Sequence, residues 1–220
     1  MPVRVKVVTS LTIVFAAMTY LFAWSPVFSV RTISTVGAPK EVSTAALIAK
    51  SDIYIGEKLS RIEPRSIERS LGELSWVSKV SVDRNWIKGV VTIEIVPRIP
   101  VGIYKGKAID SSGTLFELPG KNPEGLPVVS AATPELGLEA IALFTNLPAE
   151  VRERTISVSA PNANAISSWQ EQKSRKLKIT WGSSRDLDLK VTVLQALLEL
   201  PENKAIKRVD LSAPHAPIVK

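Results

Sequence analysis

The chain has 220 residues, no Cys and a single His, so disulfides, thiol nucleophiles, thiolate metal sites and multi-His metal centres are all excluded. Its 45% apolar and 22% charged residues are ordinary for a globular chain of one or two cores, which excludes disorder as the whole story. The formal charge of +7 is spread thinly, +2 over residues 1–30, +3 over 31–100 and +2 over 101–220, whereas nucleic-acid binding asks for one coherent basic face.

No charged residue occurs from Val7 to Val30. The run from Val7 to Trp24 would measure about 27 Å as a helix at ~1.5 Å per residue, just enough to cross a bilayer. Arg4 and Lys6 lie on the short N-terminal side, which keeps residues 1–6 in the cytoplasm and sends the rest across. Tyr20 and Trp24 suit the far interface, and Pro26 stops the helix. A cleaved leader is the competing reading. The apolar run exceeds the roughly 7 to 15 residues of a leader's core, and Ala23 has Leu21, a large residue, two positions before it. Residues 7–27 therefore read as an uncleaved transmembrane anchor.

Val30 to Val36 alternates and ends at Gly37, as a short strand entering a turn does. Val42, Ala45, Ala46 and Ala49 recur at helical spacing behind Ser43 as a cap, and Gly56 closes that unit. A second helix begins near Pro64, with Ile67 and Leu71 four apart and Gly72 just past its end. Trp76 to Val82 and Val90 to Val96 follow as strands, giving a β-α-α-β-β order over residues 28–99, with Pro97 and Pro100 at the boundary.

Beyond Pro100 the apolar pieces shorten. Asp110 to Gly113 fits a type I turn between a strand around Ile103 and Ile109 and one at Leu115 and Phe116. Thr133, Pro134 and Glu135 start a helix whose apolar face runs through Leu136, Ala140, Leu143, Phe144 and Leu147. Strands at Thr155 to Val158 and Leu177 to Trp181 precede a second helix, Leu187 to Leu200, stopped by Pro201. Ile206 to Leu211 reads as the last strand, at a sheet edge. Residues 100–211 thus form a mixed, mostly antiparallel β domain with two helices, and 212–220 a tail. The fold class is α+β behind a single transmembrane helix.

The sequence holds no nucleophile elbow, Walker loop, dinucleotide glycine fingerprint or metal-ligand helix motif. His215 lies between Pro214 and Pro217 with no acid beside it, which makes it a poor general base. Asp110 belongs to its turn, and Asp186 and Asp188 read as N-terminal caps of the last helix. Trp76, Trp86, Trp169 and Trp181 read as core, and Lys173, Arg175, Lys176 and Lys178 as the solvated side of a strand. No catalytic residue, metal site or cofactor is expected. A membrane-tethered interaction module remains.

Particular residues carry a resemblance. Ser25 to Arg31, Ile33, Val36, Gly37, Gly56, Leu59, Trp76, Val77, Val80, Val82, Arg84, Trp86, Ile93, Ile95, Arg98, Pro100 and Val101 are similar to the POTRA domain of the bacterial cell-division family FtsQ/DivIB. Ile109, Asp110, Gly113, Phe116, Leu126, Pro127, Ile179, Trp181, Gly182, Leu189, Lys190, Val193, Leu194 and the stretch Val209 to Ser212 with Pro214 and Pro217 resemble the β domain that follows it in that family. Ile87 departs from the pattern, where Pro is frequent, and so does Pro97, where Glu is frequent.

The resemblance implies a non-enzymatic scaffold of the septum, in the cell membrane with its bulk outside the cytoplasm. Its partners would be small bitopic coiled-coil proteins of the FtsB/FtsL kind, which add a strand to the edge formed by the last strand of the β domain. Carried onto this chain, the candidates are Val209, Leu211, Ser212, Ala213, His215 and Ile218, on an edge kept short because Pro214 and Pro217 lack N–H donors. The alternative is that Ile206 to Leu211 is internal and the tail disordered. The POTRA segment would contact other divisome proteins, with Arg84 in a polar role or, alternatively, in a salt bridge or snorkelling at its strand end. An extracytoplasmic hydrolase and a POTRA-type transport or assembly module are the competing functions.

Overall fold

A computed structural model describes residues 3–23, 26–172 and 175–220. The chain divides into two compact units, Met1–Arg98 and Ile99–Lys220. The first begins with helix α1, Val3–Ala23. From Val7 to Tyr20 its apolar side chains lie exposed, Phe15 at 75%. Thr12 and Thr19 turn their hydroxyls back onto the carbonyls of Val8 and Phe15, at 3.0 and 2.9 Å. Among the described residues no helix is long and apolar enough to cross a membrane. Trp24, Ser25 and Lys173 lie outside the described residues, as do the side chains of Arg4 and Lys6.

The rest of this unit is a three-stranded sheet with two helices: β1 (Thr32–Val36), α2 (Thr44–Ser51), α3 (Pro64–Gly72), β2 (Val77–Asn85) and β3 (Val90–Pro97). The strand order is β1-β3-β2, parallel between β1 and β3 and antiparallel between β2 and β3. Alternation in β3 turns Val91, Ile93 and Ile95 inward, and these and Ile67 and Leu71 of α3 are all buried, as the spacing predicts. Trp76 is buried just before β2. Gly37 takes φ +83°, and a Cβ there would collide with the Ile95 carbonyl, so the turn after β1 requires glycine.

Helix α2 departs from expectation. It buries Leu47 and Ser51 and half-buries Ile48, while Ala45, Ala46 and Ala49 stay exposed, because the large apolar residues of the turn take the positions nearest the core. Ser43 stands at the N-cap but makes no side-chain cap bond, and the helix ends on Asp52 at φ 54°, four residues before Gly56.

The second unit is built on a nine-stranded sheet of β4 (Pro100–Tyr104), β5 (Lys107–Asp110), β6 (Leu115–Phe116), β7 (Val128–Ala131), β8 (Thr155–Ala160), β9 (Ile166–Gln172), β10 (Arg175–Gly182), β11 (Arg208–Asp210) and β12 (Ile218–Val219). Their order is β12-β11-β10-β9-β8-β7-β4-β5-β6, with β4/β7, β7/β8 and β10/β11 parallel and the other pairs antiparallel. Helices α4 (Pro134–Asn146), α5 (Ala149–Glu153) and α6 (Leu187–Glu199) complete it. The α4 residues Ala140, Ile141, Leu143 and Phe144 and the α6 residues Val191 and Leu194 share one core with Leu177, Ile179 and Trp181 of β10 and with Val209 and Leu211. Thr133 caps α4 by accepting the Leu136 N–H at 3.4 Å. Asp186 is the N-cap of α6 at φ 55° and makes no side-chain cap bond, contrary to expectation.

Candidate interaction edge

Strand β10 carries Leu177, Ile179 and Trp181 to the core and Lys176, Lys178 and Thr180 to the opposite face. Beside it β11 runs parallel, in register Lys178 to Arg208 and Thr180 to Asp210. The chain then reverses. The Asp210 carboxylate accepts the Ser212 N–H at 2.9 Å and its hydroxyl at 2.7 Å, an Asx turn that ends β11. Pro214 and Pro217 occupy the connection, where a missing N–H removes no ladder bond. The tail comes back as β12, antiparallel to β11, with Val219 opposite Val209 and Ile218 opposite Asp210.

This corrects the expected edge. Strand β11 is interior, flanked by β10 and β12, and the end of the sheet is Ile218–Val219 in what was expected to be tail. Lys220 exchanges both bonds with Arg208, N to O at 3.0 Å and O to N at 2.9 Å. In an antiparallel ladder the next residue faces the other way, so the N–H and C=O of Val219 point away from β11 toward the open side. Ile218, 56% exposed, lies on the face opposite the helices. There it borders a shallow depression of about 230 Å³ with Lys178, Thr180, Arg208, Asp210 and Lys220. The Lys178 ammonium sits 5.9 Å from the Trp169 ring centre. Among the side chains lining it, Lys178, Arg208 and Lys220 are cationic and Asp210 is anionic.

The hairpin brings together Val209, Leu211, Ser212, Ala213, His215 and Ile218. Val209 and Leu211 are buried side chains of the core, so they reach a partner only through the ladder they support. Ser212, Ala213, His215 and Ile218 are exposed. Val219, Lys178, Arg208 and Lys220 were not singled out as contacts from the sequence. The alternation of Lys176, Lys178 and Thr180 was the available signal for the face.

Arg84 belongs to the other unit. Its Nη1 donates to the Leu59 and Ile62 carbonyls at 3.1 and 2.7 Å, and its guanidinium lies 5.4 Å from the Trp86 ring centre. It thereby ties the loop between α2 and α3 to β2. Trp76 and Trp181 are core, whereas Trp86 and Trp169 are half-buried, the former edge-on to Phe28. Asp110 closes its turn by accepting the Ser112 and Thr114 N–H groups, each at 2.9 Å.

The family described as "POTRA domain, FtsQ-type" matches residues 28–98, and the one described as "Cell division protein FtsQ/DivIB, C-terminal" matches 99–212. A "Cell division protein FtsQ" of Streptomyces bingchenggensis is 30% identical over 217 residues, 91% of this chain and 78% of that protein. Its namesake in Streptomyces griseus is 31% identical over 188 residues, 78% of this chain and 87% of that one. A third, from Corynebacterium glutamicum, is 25% identical over 203 residues, 89% and 90% of the respective chains.

Proposed function

Because the chain belongs to the FtsQ/DivIB family of bacterial cell-division proteins, we propose that it is a non-enzymatic membrane scaffold of the septum that captures partner proteins by strand addition at β12. The observation that carries this reading is the open side of β12, where Val219 turns a donor and an acceptor outward. A partner strand gains affinity from main-chain bonds and specificity from the pockets beside them, here the depression around Ile218. Small single-span coiled-coil proteins of the FtsB/FtsL kind are the partners that the family likeness suggests.

In this reading α1 is the membrane anchor, its described apolar stretch being completed in the sequence by Leu21 to Trp24, whose side chains lie outside the described residues. Two features support it: apolar side chains from Val7 to Tyr20 that no core covers, and threonine hydroxyls bonded within the helix, as hydroxyls in lipid must be. Arg4 and Lys6 hold the N-terminus in the cytoplasm. The POTRA segment meets other divisome proteins, and Arg84 serves there by holding the loop at Leu59 and Ile62 in shape.

A photoreactive residue at Ile218 in the full chain, irradiated in membranes, tests the proposal. Crosslinking to a small single-span division protein is the expected result. Crosslinking that moves instead to exposed positions of the POTRA segment would overturn the assignment of the edge.

A further inference from the structure

Large apolar side chains are exposed at one end of the POTRA segment, and that end is where the chain arrives from α1. Residues 28–31 are held there between two loops. On one side Leu59 N donates to Phe28 O at 3.0 Å, Val30 N to Glu57 O at 2.8 Å and Gly56 N to Val30 O at 2.8 Å. On the other side Arg31 N donates to Gly89 O at 2.7 Å, and Phe28 stacks edge-on against Trp86 with ring centres 6.2 Å apart. The loop ahead of Gly56 presents Tyr54 and Ile55 at 64% and 73% exposure, and the β2–β3 hairpin presents Ile87 at 88%.

The Tyr54 hydroxyl donates to the Asp52 carboxylate at 2.7 Å, whereas nothing in the local fold calls for an apolar side chain at position 55 or 87. The hairpin is closed by Asn85, whose carboxamide oxygen and carbonyl accept the Lys88 and Gly89 N–H groups at 2.9 and 2.8 Å. Any polar residue would serve at position 87. Gly56 supplies the φ of +92° that turns the other loop, leaving Ile55 free to be polar as well.

We infer that this end of the POTRA segment rests on the bilayer, with Ile55 and Ile87 inserted at the interface and Tyr54 at headgroup depth. The inference rests on α1 being the anchor. Chain length then fixes the occupant. The five steps from Ala23 to Phe28 reach ~17 Å at most, so whatever lies against this end competes with the membrane surface itself. Arg31, Lys58 and Lys88 flank the three side chains against Asp52 and Glu57, which accept from Tyr54, so cations are in slight excess where anionic headgroups attract them. An aromatic residue with a polar tip and two isoleucines are also the chemistry of an interfacial contact.

The chain contains no cysteine, so single Cys residues can be introduced and labelled with an environment-sensitive fluorophore. The positions are Ile55, Ile87, Val14 within α1, and exposed Ser78, ~23 Å along β2 from Asn85 at ~3.3 Å per residue. The labelled full chain is reconstituted into phosphatidylethanolamine and phosphatidylglycerol vesicles, with nitroxide quenchers at the headgroup or deep in the acyl chain. Loss of most emission at 55 and 87 with the headgroup quencher, none at 78, and quenching at 14 with the deep quencher is the expected pattern. Quenching at 14 without quenching at 55 and 87 overturns the inference and leaves the anchor standing. An unquenched label at 14 overturns the anchor, and this inference with it. A blue shift at 55 and 87 without nitroxide quenching means that a second copy of the chain covers the patch, which also overturns it.

Discussion

Leu211 shows how one side chain constrains what a mutant can report. It is fully buried beside Ile179, Trp181 and Val209, and its N–H donates to the Thr180 carbonyl at 2.7 Å. Leu211→Ala should therefore lower stability by about 2–5 kcal/mol, read as a shift of the urea midpoint. Introducing an acid there, which from the sequence alone serves as an interface probe, would unfold the sheet end. Lys190 is a second case. It is buried in α6, its ammonium donates to the Ser183 carbonyl at 2.8 Å, and burial holds it below the ordinary lysine value against a weaker opposing pull from Asp186. A lowered folded value means that the fold disfavours the charged form. That cost is fully present below the folded value and fades as pH rises toward the unfolded one. Stability of the protein should accordingly climb from neutral to alkaline pH relative to Lys190→Met, in a comparison of urea midpoints across that range. The burial of Lys190, the single lysine of α6, is not legible in the sequence, since it depends on where the β10–α6 loop folds.

At the scale of elements, period and local chemistry are informative where each element buries its own stripe. Helices α3, α4 and α6 carry apolar residues three and four apart, and strand β3 alternates; all four stand where their patterns place them. Strand β9, Ile166–Gln172, has no apolar alternation, yet it is the central neighbour of β8 and β10. Its inward positions Ser168 and Gln170 are satisfied by distant partners: Ser168 accepts the Trp181 indole N–H at 2.9 Å, and Gln170 donates to the Val151 carbonyl at 3.2 Å. A strand made acceptable by groups far away in the chain leaves no local trace. Strand β12 is two residues long between a proline and the last residue, too short to show a period. Its open side has a direct test. Val219→Pro removes an N–H that points away from β11, so it should abolish partner capture in membranes while the thermal melt of the protein stays close to that of the parent.

For the whole molecule, the two compact units each have their own buried residues, around Val91, Ile93, Ile95 and Leu71 in one and around Trp181, Leu143 and Leu194 in the other. A fragment of residues 28–220 should then unfold in two calorimetric transitions, with Trp76→Ala moving one of them and Leu211→Ala the other. A single transition in which both substitutions act alike would show that the units are coupled.

Composition by itself excluded thiol and multi-His chemistry, and the charge-free run after Lys6, the helical periods of α3, α4 and α6, the alternation of β3 and the family likeness are all properties of neighbouring residues, which is why they are legible in order along the chain. Tertiary structure alone decided that β11 is interior, that the tail returns as β12, that Val209 and Leu211 serve the core, and that Ile55 and Ile87 come to one end with Phe28. These facts depend on which distant segments pair. Pairing is settled by the competition of whole faces and backbone ladders for burial, a quantity that no local window of sequence contains.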